Sequence, residues 1–395
     1  MGTLLNRRRY MGGGGDIDWS KQYLTFEALE DGTFKHNSDA LEYSLDGGST
    51  WVSLAANTDT PTISAGNTIL WRGNMSVGGN TRYFVSTGKF NASGNPLSLK
   101  NGDNFINANP VTNNFYFLFY NCTGLVSAKN VIIPSNISGK NSICGSMFRG
   151  CTSLVEAPEL PATTLSSSCY NYMFYGCTSL IVAPELPATT LGDYCYNYMF
   201  YGCTSLTTAP PELPAVTLQN ACYSNMFRNC TSLTTPPQTL PATTLKSQCY
   251  QYMFMGCTSL TTTPTMAPTI LANKCCHGMF SGCTSLENVM LTLPATTLES
   301  SCYYAMFVNT KITTAPYLPA TTLVTDCYGM LFDGCSKLNY IKAMFTTTPG
   351  TSYTVNWVRN VPSGGTFVKN SAATWADTFG NNAVPTGWTV ETASS

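Results

Sequence analysis

Apolar residues recur along most of this chain in one fixed pattern. The segment Cys-Tyr-Asn-Tyr-Met-Phe-Tyr-Gly-Cys-Thr-Ser-Leu, residues 169–180, returns unchanged at 195–206 and in variant form at 222–233, 249–260 and 275–286. Its Met-Phe pair, or an equivalent pair, marks nine repeats at steps of 25 to 29 residues. These pairs begin at Leu118, Met147, Met173, Met199, Met226, Met253, Met279, Met306 and Leu331. Self-similarity at a fixed period of this length predicts a solenoid.

Each repeat has an extended part and a compact part. The extended part reads Leu-x-x-Ala-Pro-x-Leu-Pro-Ala-Thr-Thr-Leu, as in residues 154–165. Its prolines favour extended geometry in the preceding residues, and its threonines are β-branched. The compact part lacks proline, places Cys169 and Met173 four residues apart and ends near Gly176, as a short helix with a glycine stop would. We therefore predict one short β-strand plus one short helix per repeat.

The compact string also resembles a known family. Met-Phe-x-Gly-Cys-Thr-Ser-Leu, followed by Leu-x-x-x-x-x-Leu-Pro, is similar to the repeats of BspA-type leucine-rich surface proteins. The resemblance covers residues 115–345 and rests on a motif that recurs nine times. It implies a curved leucine-rich repeat solenoid with strands on one face and a role in adhesion or recognition, without implying a particular ligand.

The regions on either side of the repeats have a different texture. In residues 17–105, an alternating stretch at 41–45, a turn at Asp46-Gly47-Gly48 and a second stretch at 50–54 predict a β-hairpin within an all-β, sandwich-like domain. The repeats then occupy residues 106–345. We expect residues 346–395 to form a β-rich C-terminal cap in which three tryptophans pack, namely Trp357, Trp375 and Trp388. A separate ligand module with exposed tryptophans is the alternative.

The first 16 residues read as a flexible tail. They contain Arg7, Arg8 and Arg9, followed by four glycines at 12–15. No apolar run of about 7 to 15 residues follows the arginines, so the tail does not read as a secretion signal. A short basic tail before a β-domain resembles those of bacteriophage virion proteins, and the three arginines are therefore a candidate anchor.

Charge and hydropathy exclude two classes of partner. Only 10% of the residues are charged, against about 25% in a typical soluble domain. The net charge is −1, and clustered Lys and Arg are what nucleic-acid binding requires. No apolar stretch approaches the roughly 18 to 20 residues of a membrane span. We predict neither a nucleic-acid partner nor a membrane span.

Sixteen of the 17 cysteines fall into two columns, and only Cys276 stands outside them. The first column comprises Cys122, Cys151, Cys177, Cys203, Cys230, Cys257, Cys283 and Cys335, and the second comprises Cys144, Cys169, Cys195, Cys222, Cys249, Cys275, Cys302 and Cys327. We predict structural columns of buried thiols, with disulfides between coils as the alternative. Thr310 interrupts the first column, which a thiol column tolerates if the hydroxyl finds a partner.

Residues suited to catalysis are sparse. His36 and His277 are the only histidines, and no pair of cysteines has the spacing of a zinc or redox site. The glycines at 12–15 lack the Lys and Ser or Thr of a phosphate loop. We therefore predict that the chain is not an enzyme and uses no metal or other cofactor.

Binding is the function that this pattern favours. One tyrosine per repeat recurs in register and forms a candidate binding surface, because tyrosine suits both protein interfaces and sugar stacking. These residues are Tyr170, Tyr196, Tyr223, Tyr250, Tyr303 and Tyr328. The alternative is that a tyrosine column packs between the coils. Further tyrosines lie at 172, 198 and 252.

Two hypotheses of function follow. In the first, the chain is a virion component of a bacteriophage that contacts the host cell or other virion proteins. In the second, it is a bacterial cell-surface adhesin that binds host proteins or glycans. The lack of a secretion signal favours the first, and whether the chain forms a homo-oligomer stays open.

Overall fold

A solenoid with a β-domain at one end makes up the fold. The computed structural model describes residues 17–76 and 82–393, so the candidate anchor Arg7, Arg8 and Arg9 lies outside the described residues. One hydrophobic core extends from Leu24 in the β-domain to Trp388 in the last coil. The predicted repeat solenoid is confirmed.

The β-domain has a six-stranded sheet and a two-stranded sheet. Its strands are β1 (Leu24–Ala28), β2 (Phe34–His36), β3 (Leu41–Ser44), β4 (Val52–Leu54), β5 (Thr68–Gly73), β6 (Phe84–Ser86) and β7 (Phe90–Gly94). Strands β3 and β4 pair antiparallel, so the predicted hairpin is present. Strands β2 and β6 form the small sheet. The helical turns are α1 (Ser98–Asn101) and two 3-10 helices, Trp19–Lys21 and Gly102–Asn107.

This domain closes the first end of the solenoid. Strand β8 (Leu125–Val131) belongs to the first coil and pairs parallel with β7, which gives the large sheet the order β4-β3-β5-β1-β7-β8. Phe119 of the first coil lies 5.9 Å from Phe26 and 6.0 Å from Phe84, measured between ring centres. The core of the domain therefore continues into the core of the coils.

The compact part of each coil is a run of turns, and the predicted short helix is wrong. Met173 N–H donates to the Tyr170 carbonyl three residues back at 3.2 Å, whereas Tyr172 N–H donates to Asn197 of the next coil at 2.9 Å. Alternate amides thus bond within and between coils. Every fourth residue has a left-handed backbone, as at Tyr172 (φ 56°) and Gly176 (φ 71°). A helix would need all these amides for bonds four residues back and would not tolerate left-handed residues.

The extended part of each coil pairs with its neighbours through very short parallel contacts. One series of isolated parallel β-bridges joins Thr164, Thr190, Thr217 and Thr244 of successive coils. In the middle coils β9 (Thr239–Leu240) and β10 (Thr265–Met266) are long enough to count as strands, and they pair parallel. The stack is therefore in register from coil to coil.

Because the coils are in register, identical side chains lie over one another. A column of phenylalanine rings occupies the interior, with ring centres 5.4 to 6.0 Å apart and planes within 11° of parallel. Its members are Phe119, Phe148, Phe174, Phe200, Phe227, Phe254, Phe280, Phe307 and Phe332. Each ring removes apolar surface of both its neighbours from water.

Beyond the ninth repeat, in the region expected to form a β-rich C-terminal cap, the chain continues the stack of coils. Phe332 N–H donates to the Trp357 carbonyl, as Phe307 N–H does to that of Leu331. Strands β11 (Tyr340–Ala343), β12 (Thr366–Lys369) and β13 (Thr389–Thr392) form a parallel sheet. The tryptophans at 357, 375 and 388 are all buried. They are packing residues, and not the exposed residues of a ligand module.

All 17 cysteines are buried and free. In the first column seven of the eight thiols donate to a phenylalanine carbonyl of the preceding coil, as Cys203 Sγ does to Phe174 O at 3.1 Å. The Phe174 carbonyl also accepts the Cys177 N–H of its own coil. The eighth, Cys122, contacts Ser86 Oγ of the β-domain. Thr310 differs, because its Oγ1 donates to the Phe307 carbonyl of its own coil at 2.9 Å and contacts Cys335 Sγ of the next coil at 3.3 Å. The thiols of the first column from Cys151 onward are therefore hydrogen-bonded links between coils.

The hydroxyl of Thr310 should contribute measurably to the free energy of unfolding. We expect Thr310→Val to lower it by about 0.5 to 1.5 kcal/mol, the net value of one buried hydrogen bond. Thr310→Cys should change it little, since a thiol donates from this column in other coils. Equilibrium urea unfolding of the full chain checks both variants. A Val variant as stable as the parent would contradict a stabilising role for this hydroxyl.

The buried thiols also make stability depend on alkaline pH. Burial raises the pKa of Cys203, Cys222 and Cys283 from 9.0 to about 12. Above pH 9 the unfolded chain loses these protons while the folded chain keeps them, so the free energy of unfolding falls as pH rises from 9 towards 12. We expect the urea midpoint to be lower at pH 10.5 than at pH 8, with reductant present. An unchanged midpoint would show that the thiols are accessible to solvent.

Candidate functional site

The six tyrosines predicted as a binding surface lie in the core. Each is 0 to 1% exposed: Tyr170, Tyr196, Tyr223, Tyr250, Tyr303 and Tyr328. They stack between coils, as Tyr196 and Tyr223 do at 5.5 Å. The prediction is wrong because it assumed a helix, in which Tyr170 would lie beside the buried Cys169 and face outward. In the observed turns both residues point inward, and the alternative of a packed column is right.

A second set of aromatic residues is half-buried on the outside of the turns. Tyr172 and Tyr198 stack with ring centres 4.8 Å apart and planes 4° from parallel. Tyr175 and Tyr201 stack at 4.7 Å and 1°. We call this set the tyrosine–arginine ladder, and its members are Tyr120, Arg149, Tyr172, Tyr175, Tyr198, Tyr201, Arg228 and Tyr252.

Two arginines complete the ladder. The guanidinium carbon of Arg149 lies 4.7 Å from the ring centre of Tyr175 and 5.1 Å from that of Tyr172. Arg228 lies 5.7 Å from Tyr201 and 5.2 Å from Tyr252. Arg228 also donates to Asn225 Oδ1 at 3.1 Å. Within residues 17–76 and 82–393, neither arginine has a carboxylate partner. The ladder therefore presents uncompensated positive charge held against aromatic rings.

The aromatic contacts continue towards the C-terminal coils through His277. Tyr252 Oη lies 2.9 Å from His277 Nε2, and the His277 ring stacks on Tyr304 at 4.9 Å. Burial lowers the pKa of His277 to about 4, and the nearby Lys274 charge adds to this effect. The ring is neutral at pH 7. Gly278 makes room for Tyr252, because a Cβ there would lie 2.5 Å from its ring.

The sequence contained a signal for this surface that the helical interpretation hid. The residue between Met-Phe and Gly or Asn reads Arg149, Tyr175, Tyr201 and Arg228 in four successive repeats. These positions change from coil to coil while the Met-Phe pairs beside them do not. Variable large side chains at a fixed repeat position are what an outward-facing column produces.

Residues that could support chemistry are separated or buried. His36 is 2% exposed in the β-domain, and burial lowers its pKa to about 4. Across the described residues, no three His, Cys, Asp or Glu side chains group as metal ligands would. No helix in the described part of the chain is long and apolar enough to cross a membrane. Burial also keeps the thiols of the first column protonated, which removes their nucleophilic form.

The stacked, in-register coils define a leucine-rich repeat solenoid. The chain belongs to the BspA-type leucine-rich repeat family: the profile described as "BspA type Leucine rich repeat region" matches six copies over residues 113–261 and 250–353. This family is generally a non-catalytic protein-interaction fold. The sequence-based resemblance is thereby confirmed.

One solved structure is similar to this chain, at low sequence identity. No curated protein matches the chain. A crystal structure of a leucine-rich repeat protein from Bacteroides ovatus aligns with 78% of this chain and 96% of that chain, at 15% sequence identity. The TM-score is 0.22, so this likeness carries no argument about function.

Proposed function

We propose that the protein is a non-catalytic adhesin of the bacterial cell surface that binds a host protein through the tyrosine–arginine ladder. Family membership supports the class, since BspA-type proteins are typically found at the bacterial surface or outside the cell. The observation that carries the proposal is the run of stacked, half-buried tyrosines flanked by two arginines without carboxylate partners.

The composition of the ladder fits a protein interface. Tyrosine and arginine, together with tryptophan, are the residues that dominate binding energy at such interfaces. Stacking against neighbouring coils already fixes the rotamers of Tyr175 and Tyr201, so binding would cost little further side-chain entropy. The strand-bearing side exposes threonines such as Thr190 and aliphatic residues such as Val182 and Val216. These residue types are found at binding hot spots less often than tyrosine and arginine.

The bacteriophage hypothesis has weaker support than the adhesin. It depended on residues 1–16, which lie outside the described residues, and the family match does not point to a virion. The adhesin, which was the alternative in the sequence analysis, agrees with the family. We therefore prefer the bacterial surface as the location.

The test is adhesion of the purified full chain to host epithelial cells and to immobilised host matrix proteins. We expect the double variant Tyr175→Ser, Tyr201→Ser to bind at least tenfold more weakly, because it removes the centre of the ladder. Tyr194→Ser is the matched control, since Tyr194 is 45% exposed but lies outside the ladder. Equal adhesion of the double variant and the control would contradict the proposal, provided that both variants unfold at the same temperature as the parent.

A further inference from the structure

The faces of the ladder rings are already covered. The stacked pairs Tyr172–Tyr198 and Tyr175–Tyr201 have ring centres 4.8 and 4.7 Å apart. A sugar ring inserted between two rings would need about 7 Å, twice a van der Waals contact. Arg149 and Arg228 lie against rings of the Tyr175–Tyr201 pair from either end of the column. The ladder therefore presents ring edges, hydroxyls and guanidinium N–H groups outward, and few open faces for stacking.

Within the part of the chain that the structure describes, the ladder carries positive charge without a carboxylate partner at two residues, Arg149 and Arg228. Arg149 and Arg228 occupy the same position of their coils as Arg359 does further along the stack, because the carbonyl of each accepts an N–H of the preceding coil. Arg359 is neutralised by Asp333, with Nε 3.1 Å from Oδ1. Arg149 and Arg228 have no such partner among the described residues. These two cations are left to bind an anion from outside.

The stack sets the distance between the two cations. Arg149 and Arg228 are three coils apart, and ring centres of adjacent coils are separated by 4.7 to 5.5 Å. The arginines are therefore roughly 14 to 17 Å apart along the solenoid axis, which an extended peptide covers in about four to five residues at 3.2 to 3.4 Å each. Tyr175 and Tyr201 lie between them and present hydroxyls within that span.

We propose that the ladder binds an acidic protein segment in extended conformation that lies along the solenoid axis. Two of its carboxylates, four or five residues apart, pair with Arg149 and Arg228, and the hydroxyls of Tyr175 and Tyr201 hydrogen-bond to the peptide between them. The inference rests on the proposed function, because it uses the same surface and names the chemistry of the partner. Charge complementarity and the covered ring faces favour a protein segment over a glycan.

A set of synthetic peptides tests the spacing directly. Each fluorescein-labelled peptide has a Ser/Thr backbone and two Glu residues separated by two to eight positions, and a matched series has Gln in place of Glu. Binding to the purified full chain is measured by fluorescence anisotropy at 50 and 300 mM salt. We expect the tightest binding at a spacing of four or five and at least fivefold weaker binding at two, at eight and for Gln. Binding should weaken at the higher salt.

Variants connect this binding to the two arginines. R149Q and R228Q should each weaken binding of the tightest-binding peptide at least fivefold, because one of the two charge pairs is lost. Each variant should also bind peptides of different Glu spacing equally well. K246Q is the matched control, since Lys246 is an exposed cation outside the ladder, and it should bind the peptide as the parent does. Circular dichroism melting shows whether each variant is folded.

Several outcomes would overturn the inference. The first is that the Gln peptides bind as tightly as the Glu peptides. The second is that Glu peptides of all spacings bind equally well. The third is that oligogalacturonate binds to the ladder and the Glu peptides do not. If no acidic peptide binds but Tyr175→Ser, Tyr201→Ser still loses adhesion, this inference fails and the proposed function stands. If the spaced peptides bind and adhesion is unaffected by the double variant, the proposed function fails while the acidic specificity stands.

Discussion

The division of backbone amides between two kinds of hydrogen bond determines the rest of this structure. In the compact part of each coil, alternate N–H groups close turns within the coil and the others donate to the next coil. A coil by itself would leave half of these donors without a protein partner, and burying an unpaired amide is costly. Each coil is thus stable only when another lies against it in register, which is the condition for a solenoid.

Register has consequences for side chains both inside and outside the coils. Inside, it places phenylalanine on phenylalanine and lets the thiols of the first column from Cys151 onward reach a carbonyl of the preceding coil. Outside, it places tyrosine and arginine side chains at contact distance, where they support each other. The buried columns tolerate little change because neighbouring coils share each contact. The outward column can vary, and it is there that binding specificity can be altered without changing the fold.

The sequence was sufficient for the architecture but not for the backbone of the compact part. The nine recurrences and their leucines predicted a solenoid, and the isolated Thr310 correctly indicated a column whose donor can be a hydroxyl. The helix was wrong because a spacing of four residues, as between Cys169 and Met173, is shared by helices and by runs of four-residue turns. Tyr172 is left-handed without being glycine, so its conformation leaves no mark in the sequence. That one error exchanged the buried and exposed tyrosines.

The sequence pattern did not predict the coils after the ninth repeat, for a related reason. Trp357 stands where earlier coils have methionine or leucine, and β12 lacks the Leu-x-x-Ala-Pro string of the preceding strands. Backbone hydrogen bonds, and not residue identity, are what continue the stack. The same limit applied to the ladder, because its residues change from coil to coil and carry no motif.

The run of turns is tested most directly at Ala305, whose backbone is left-handed with φ of 55°. Glycine adopts this conformation without the strain of roughly 1 to 2 kcal/mol that a Cβ causes, so Ala305→Gly should raise the free energy of urea unfolding by up to about 1 kcal/mol. Ala272→Gly, at a position without positive φ where the turns of another coil begin, should lower it. A decrease of about 1 kcal/mol for Ala305→Gly, as glycine causes within a helix, would contradict this account of the coil.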